Sequence, residues 1–347
     1  MTLYYCLILW IGLVSLFLIG LRDKYKRSQI VVILGCFGIF LIQALRSRYV
    51  GVDINGYLMG YQMVKNINVF SGERLFNYDV GYILYSQILS KLNISNQIYL
   101  AVTALIIIIP NCYIWIKNSK IPSLSIFIYI TLGFFTFSFS GLRQSIAISI
   151  VFFSLKYIQE KKTIKFILFV TLATLFHFTA VIFIFAYPLY YWKLKPFNFF
   201  FILLSFIITF IFKEEIFLII YRLFKGVPGE VVDTNAYTML VIMIFILILA
   251  YVFDSSDNQN MNLNAYRNYM LVAIFVQIFA SESNVIMRAG FYYYLFITLL
   301  IPEVLHQQNP KIKVLAISGL VLSLLYFFQL NTGSGYLDVS PYYFFWE

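Results

Sequence analysis

Long apolar runs separated by short polar stretches dominate the chain. Runs at 3–21, 30–45, 98–116, 122–139, 142–157, 197–212, 237–253, 268–280, 285–304 and 314–329 approach the roughly 20 residues that carry a helix across a bilayer core. The run 164–192 is too long for one comfortable span and too short for two full ones. Its centre reads LFHFTA, with His177 in the middle. A hairpin there returns Lys193 and Lys195 to the side of Lys161 and Lys162, as the preference for basic cytoplasmic loops demands. A single tilted helix inverts everything after Lys193. The hairpin is the reading adopted, and it gives about twelve spans with both ends outside.

Two stretches break the pattern. Residues 46–97 form an external segment, polar and aromatic up to Asp79, then a short apolar helix over 80–92 that re-enters or lies at the interface. Residues 213–236 hold Glu214, Glu215, Arg222, Lys225, Glu230 and Asp233 and read as a second external loop. No internal repeat is present. The expected fold is an all-α polytopic membrane protein: about twelve transmembrane helices plus short re-entrant or interfacial helices, in one bundle and one membrane domain over 1–347.

Composition agrees. The 347 residues are 61% hydrophobic and 20% aromatic but only 12% charged, against about a quarter charged in soluble domains. The net charge of +10 would suggest nucleic acid in a soluble protein. Here cytoplasmic loops account for it, beginning with Arg22, Lys24, Lys26 and Arg27, and no nucleic-acid partner is expected. The first run lacks a basic lead and a small-residue cleavage site, so it reads as a first helix and not a signal peptide. Cys6, Cys36 and Cys112 lie in apolar runs without a CxxC pair and read as small core residues.

The exceptions to the charge rule carry the chemistry. Arg46, Arg48, Arg143, Arg222 and Arg288 fall at or near the outer side, as does His177. Lysine suits diffuse attraction to headgroups, whereas arginine presents a planar fork matched to phosphate. A lone arginine near a helix end usually snorkels to the interface, which covers Arg48 and Arg222. Arg143 is different: it is the sole charge between Ser123 and Leu155, it follows Gly141, and Gln144 stands beside it. Such a residue faces a bundle interior or a wet cavity and marks function. Arg288 opens a span before an aromatic run. His177 has no Cys, Asp or Glu at metal-ligand spacing, so no metal is expected, and it reads either as a structural histidine or as a base or phosphate contact. Of the few acids, Asp53, Asp79 and Glu282 stand in outer segments. No paired carboxylates, P-loop, HExxH or dinucleotide fingerprint appears, and no cofactor is expected.

Three motifs in order resemble one family. LRSRYVGVDINGY, Leu45 to Tyr57, resembles an R-x-x-x-V-G-x-D-x-x-x-Y element. GLRQSIAISI, Gly141 to Ile150, resembles an R-Q-x-I-A element, and LATLFHFTAVI, Leu172 to Ile182, an A-x-x-F-H-x-(S/T)-A element. Arg288 before Phe291 and Tyr292 is similar too. The chain thus resembles the EpsG-type membrane proteins, a branch of the Wzy-like O-antigen and exopolysaccharide polymerases, over nearly its whole length.

The resemblance implies a glycosyltransferase-type polymerase in the bacterial cytoplasmic (inner) membrane, its active site facing the periplasm or exterior. It would join oligosaccharide repeat units on undecaprenyl pyrophosphate at the outer leaflet, without nucleotide sugars or a metal. A chain-length regulator protein is a candidate partner beside the bilayer. Arg143 would then meet the leaving pyrophosphate, where preorganised cations act on developing charge. Arg46, Arg48 and Arg288 complete the clamp, with Arg222 a further substrate contact. Gln144 holds a sugar hydroxyl or orients Arg143, and His177 or Asp53 takes the acceptor's proton, with His177 the first choice. Tyr57, Tyr61, Tyr78, Tyr82 and the tail SPYYFFWE either stack on sugars or form the interfacial aromatic belt. An O-antigen ligase or a lipid-linked oligosaccharide flippase would need similar cations, but a flippase needs them reachable from both sides. A secondary transporter would show matched broken repeats, which are absent here.

Overall fold

The computed structural model describes residues 1–67, 78–194, 196–224, 236–254, 260–333, 335 and 337–347. Lys195, Lys225, Glu230 and Asp233 lie outside the described residues. Among the described residues the regular structure is helical, apart from one isolated bridge between Arg46 and Phe344. The chain is an all-α polytopic membrane protein. It forms two compact units, Met1–Val181 with Pro310–Glu347, and Ile182–Asn309.

In the first unit, α1 (Thr2–Phe17) buries Tyr4, Leu7, Ile11 and Val14, one stripe at helical spacing. Leu9, Leu13, Leu16 and Phe17 stay exposed on the other face. An apolar surface of that kind suits lipid and not water. α2 (Lys24–Ala44) starts where the Asp23 carboxylate accepts from the Tyr25 and Lys26 amides. After the loop 45–53 come α3 (Ile54–Met63) and α4 (Val80–Lys91), the short helix expected over 80–92. α5 (Asn96–Asn118) is capped by Ser95. α6 (Pro122–Thr131) and α7 (Phe134–Ser140) are bent by 51° at their junction. α8 (Leu142–Gln159) packs on α5 and on α9 (Thr163–Phe176), while α2 packs on α1, α5 and α6. His177 has extended backbone (φ −155°, ψ 114°), so the helix breaks within LFHFTA as expected, and a 3-10 stretch Phe178–Phe185 follows.

The second unit contains α10 (Ala186–Tyr191), α11 (Pro196–Ile211), α12 (Lys213–Phe224), α13 (Ala236–Val252) and α14 (Met261–Gln277). It closes with α15 (Asn284–Ala289), α16 (Phe291–Tyr294) and α17 (Ile297–His306). α12 replaces much of the expected second loop. Glu214 and Glu215 in its first turn and Arg222 in its last match the helix dipole, which favours a helix over a coil. α18 (Pro310–Gly333) returns to the first unit and buries only Leu324, Phe328 and Thr332.

Counted by length and apolarity, five helices among the described residues can cross a membrane: Thr2–Gly20, Tyr25–Ala44, Asn96–Asn118, Val285–His306 and Pro310–Gly333. The bent pair α6–α7 makes a sixth if it is one span. The apolar runs behind the figure of about twelve include Thr163–Phe176, Phe178–Tyr191, Phe200–Ile211 and Tyr237–Val252, each shorter than an upright span needs.

Contacts fix the two ends of the first unit. The C-terminal end of α2 meets the N-terminal end of α5, where Gln97 donates to the Ala44 carbonyl. At the other end Lys117 reaches the Tyr25 hydroxyl at 3.3 Å, and Asn118 bonds Gln159 at 2.9 Å. Lys120, Lys156, Lys161 and Lys162 lie around that second end. The first end gathers the loop 45–53 and the starts of α4, α5 and α8.

Candidate active site

The three motif segments meet at the first end of unit one. The loop 45–53 is held by the C-terminal tail. Ser47 N–H donates to the Tyr343 carbonyl at 2.9 Å, Phe345 N–H to the Leu45 carbonyl at 2.9 Å, and Gly51 N–H to the Asp338 carbonyl at 2.9 Å. Gly51 has φ +111°, and a Cβ there would lie 2.7 Å from the Phe139 carbonyl oxygen, so only glycine fits. That tight turn delivers Asp53 and α3. On the far side of the site, a Cβ at Gly81 would lie 2.7 Å from Leu175 Cβ and 2.8 Å from the Leu175 carbonyl oxygen. The start of α4 therefore touches the end of α9, beside His177.

Arg143 stands in the first turn of α8, whose Gly141 cap supplies no side chain. A cation there opposes the helix dipole, and the Arg143 amide donates to the Tyr57 hydroxyl. The anion beside the guanidinium is Asp79. Its Oδ2 lies 3.0 Å from Arg143 Nη1, with 24% of the Asp79 and 20% of the Arg143 side chain exposed. The Asp79 carboxylate also accepts from the Phe178 amide, one residue past His177. Burial pushes the Asp79 carboxyl above its ordinary value, and the pull of Arg143 and the amides only partly offsets it.

Aromatic rings floor the site. The guanidinium lies 4.8 Å from the Tyr78 ring centre, a cation–π distance. Tyr57 stacks on Tyr78 at 5.7 Å and bonds Arg143 through its hydroxyl. Tyr82 meets Tyr78 edge-on at 5.3 Å, and its hydroxyl lies 2.5 Å from that of Tyr99. Tyr61 stacks on Tyr99 at 4.1 Å. Burial lifts the Tyr78 phenol to about 12 and raises that of Tyr57, so both remain neutral donors at physiological pH. Asp53 is exposed and acts electrostatically on Tyr57 and Tyr78.

The structure thus brings Arg143, Tyr57 and Asp53 into one neighbourhood, with His177 next to the amide that binds Asp79. His177 Nδ1 lies 2.7 Å from Thr179 Oγ1. Gln144 is buried on α8. Arg46 is covered rather than open to the site: it is 2% exposed, donates to the Phe139 carbonyl at 2.9 Å, lies 4.7 Å from the Phe139 ring centre and reaches Tyr82 electrostatically. Burial pulls the Arg46 guanidinium down to about 10, still a cation at neutral pH. Arg48 is exposed and bonds Asn55 Oδ1 at 2.9 Å. Arg222, in the exposed last turn of α12, and Arg288, half-buried in α15, belong to the second unit.

That unit has its own charge pairs. Lys213 Nζ lies 2.9 Å from Glu282 Oε1 and 2.6 Å from the Tyr237 hydroxyl. Burial pulls the Glu282 carboxyl upward, but hydrogen bonds from Lys213 and Ser281 win and hold it below its ordinary value. Arg267 is 1% exposed, pairs with Asp254 at 2.7 Å and lies 4.4 Å from the Tyr251 ring centre. Sequence reasoning missed Asp79 as a site member and Arg267 as a buried cation. The signal available for Asp79 was its place directly before a short apolar helix in an outer segment.

Helices of this length and apolarity define an integral membrane protein of the all-helical class. Residues 29–344 match the EpsG family, and the chain belongs to it. Membership points to a membrane polysaccharide polymerase-like role. No curated protein and no solved structure matches the chain.

Proposed function

We propose that this protein polymerises lipid-linked oligosaccharide repeat units, of O-antigen or exopolysaccharide, at the outer leaflet of the bacterial cytoplasmic membrane. The donor is the growing chain on undecaprenyl pyrophosphate, and the acceptor is the non-reducing end of a new unit. The observation that carries this reading is Arg143, a partly exposed cation in the first turn of α8, set over the Tyr78 ring and bonded by Tyr57 of the first motif.

In the reaction the acceptor hydroxyl attacks C1 of the donor sugar. The C1–O bond to pyrophosphate breaks, and negative charge grows on the leaving oxygen. Arg143 is the cation that meets such charge, and a donor fixed beforehand stabilises it without reorganisation. Half-buried Tyr78 offers its ring and hydroxyl to sugar, backed by the buried rings of Tyr57 and Tyr82. Gln144 orients the arginine or a hydroxyl. Asp53 and His177 flank the acceptor side, and Arg48, Arg222 and Arg288 supply further positive charge toward the anionic lipid. Arg46, bound to Phe139, acts by holding the loop that carries Asp53. The reading calls for no nucleotide or metal, and a chain-length regulator is a fitting partner.

Deleting the gene and resolving the cell's surface polysaccharide by gel tests this. We expect core carrying one repeat unit with the ladder gone. A bare core would move the assignment to a ligase or flippase, and an unchanged surface ladder with normal secreted polymer would sink the pathway altogether.

A further inference from the structure

We propose that Asp79 is the internal anion that occupies Arg143 until the substrate's pyrophosphate displaces it, and is then the general base for the acceptor hydroxyl. The inference rests on the polymerase reading and deepens it. Its ground is geometric. Asp79 Oδ2 lies 3.0 Å from Arg143 Nη1, and the same carboxylate accepts from the Phe178 amide. Asp79 therefore sits where the start of α4, the start of α8 and the break after α9 converge.

A carboxylate on a guanidinium occupies the place of a phosphate oxygen. Pyrophosphate brings more charge and more acceptor atoms to the same fork, and a partly exposed ion pair is weak enough to exchange. Once Arg143 turns to the pyrophosphate, Asp79 loses its cation and keeps its desolvated position. Burial already holds its carboxyl above the usual range, and loss of the cation strengthens its pull on a proton further. The base is thus activated by the arrival of the donor. His177 Nδ1 bonds Thr179 and Asp53 is exposed, whereas Asp79 is the carboxylate paired with Arg143.

The step balances. The acceptor O–H gives its proton to Asp79 as the new C1–O bond forms. The C1–O bond to phosphorus breaks, and its electron pair leaves with undecaprenyl pyrophosphate beside Arg143. Asp79 later returns the proton to water and re-forms its pair with Arg143.

The full-length protein in phospholipid vesicles is tested for binding of undecaprenyl pyrophosphate. Turnover is measured in membranes of the native cell, which carry its own lipid-linked units. For Asp79→Asn we expect affinity to rise about two- to fivefold, the weight of a partly exposed pair. Turnover should fall about 100-fold or more, the usual scale for a general base. Formate should restore part of the turnover of Asp79→Ala, which a purely structural role would not allow. Turnover within about threefold of wild type, weaker binding, or no effect of formate would each overturn the proposal. If Asp79→Asn does not reach the membrane, Asp79→Glu decides: it keeps the charge, so binding should stay near wild type while turnover falls. Wild-type turnover there would overturn the base. If the wild-type protein neither binds the probe nor supports polymer, the polymerase reading has failed, a result distinct from any defect confined to Asp79.

Discussion

At the scale of single residues, the same chemistry reads differently according to what surrounds it. Arg143 was legible in the sequence because a cation inside an apolar run has no cheap structural explanation. Its expected behaviour follows from its proposed role. Arg143→Ala should reach the membrane at normal levels yet lower polymerisation by about 10²–10³-fold, about 3–4 kcal/mol, the scale of losing one preorganised donor. Arg143→Lys should restore only part, because the ammonium lacks the planar fork. Quantified polymer from membranes with equal protein checks both, and normal long chains from the alanine variant would remove Arg143 from the site. Arg46 shows where such reading stops. It came from an equally suggestive motif, yet its guanidinium is buried on the carbonyl of Phe139, 93 residues away, and its backbone is bridged to Phe344 of the tail. A motif cannot say whether an arginine is covered, because the cover is supplied by distant chain. Asp79 failed in the opposite direction. It looked like one acid among several until its partner, 64 residues on, was in place.

At the scale of elements, the apolar pattern located most helices, and the interruptions proved more informative than the runs. The break at His177 was expected from a run of awkward length, and the short helix α4 from its apolar stretch. Conversion of 213–224 from loop to helix was not foreseen, because its polar residues drew attention away from the apolar spacing of Ile216, Phe217 and Ile220 in the sequence. What no pattern announces is close approach. Gly81 lets α4 touch the backbone of α9, and backbone cannot yield as a flexible side chain can. Gly81→Ala should therefore cost about 1–3 kcal/mol in overpacking. It should also pry Asp79 from the Phe178 amide. The check is paired: lower thermal stability in detergent and faster hydrogen exchange at Phe178. Gly319, with nothing within 4 Å of its would-be Cβ, supplies the control, and alanine there should be neutral or stabilising. Equal effects at both glycines would mean that the α4–α9 contact does not hold the site.

At the scale of the whole molecule, the decisive property is sidedness, and it links charge to mechanism. One end of the first unit carries Arg48, Asp53 and the Arg143 site; the other carries Lys117, Lys161 and Lys162. If basic loops stay inside, the Arg143 end faces out, the side on which the proposed lipid-linked donor would be met. Single cysteines test this once Cys6, Cys36 and Cys112 are replaced. A membrane-impermeant maleimide should label Arg48→Cys in intact cells and Lys161→Cys only after the membrane is opened. The reverse pattern would place the site on the wrong leaflet and end the polymerase reading. A third position, Lys193→Cys, reports on the break at His177. Protection from outside means that the chain turns back there, as the twelve-span reading requires. Labelling means that it runs on and that every later segment is inverted. That one result carries furthest, because it fixes the compartment of Arg222 and Arg288. Only if Lys193 is protected do Arg222 and Arg288 open to the same compartment as Arg143.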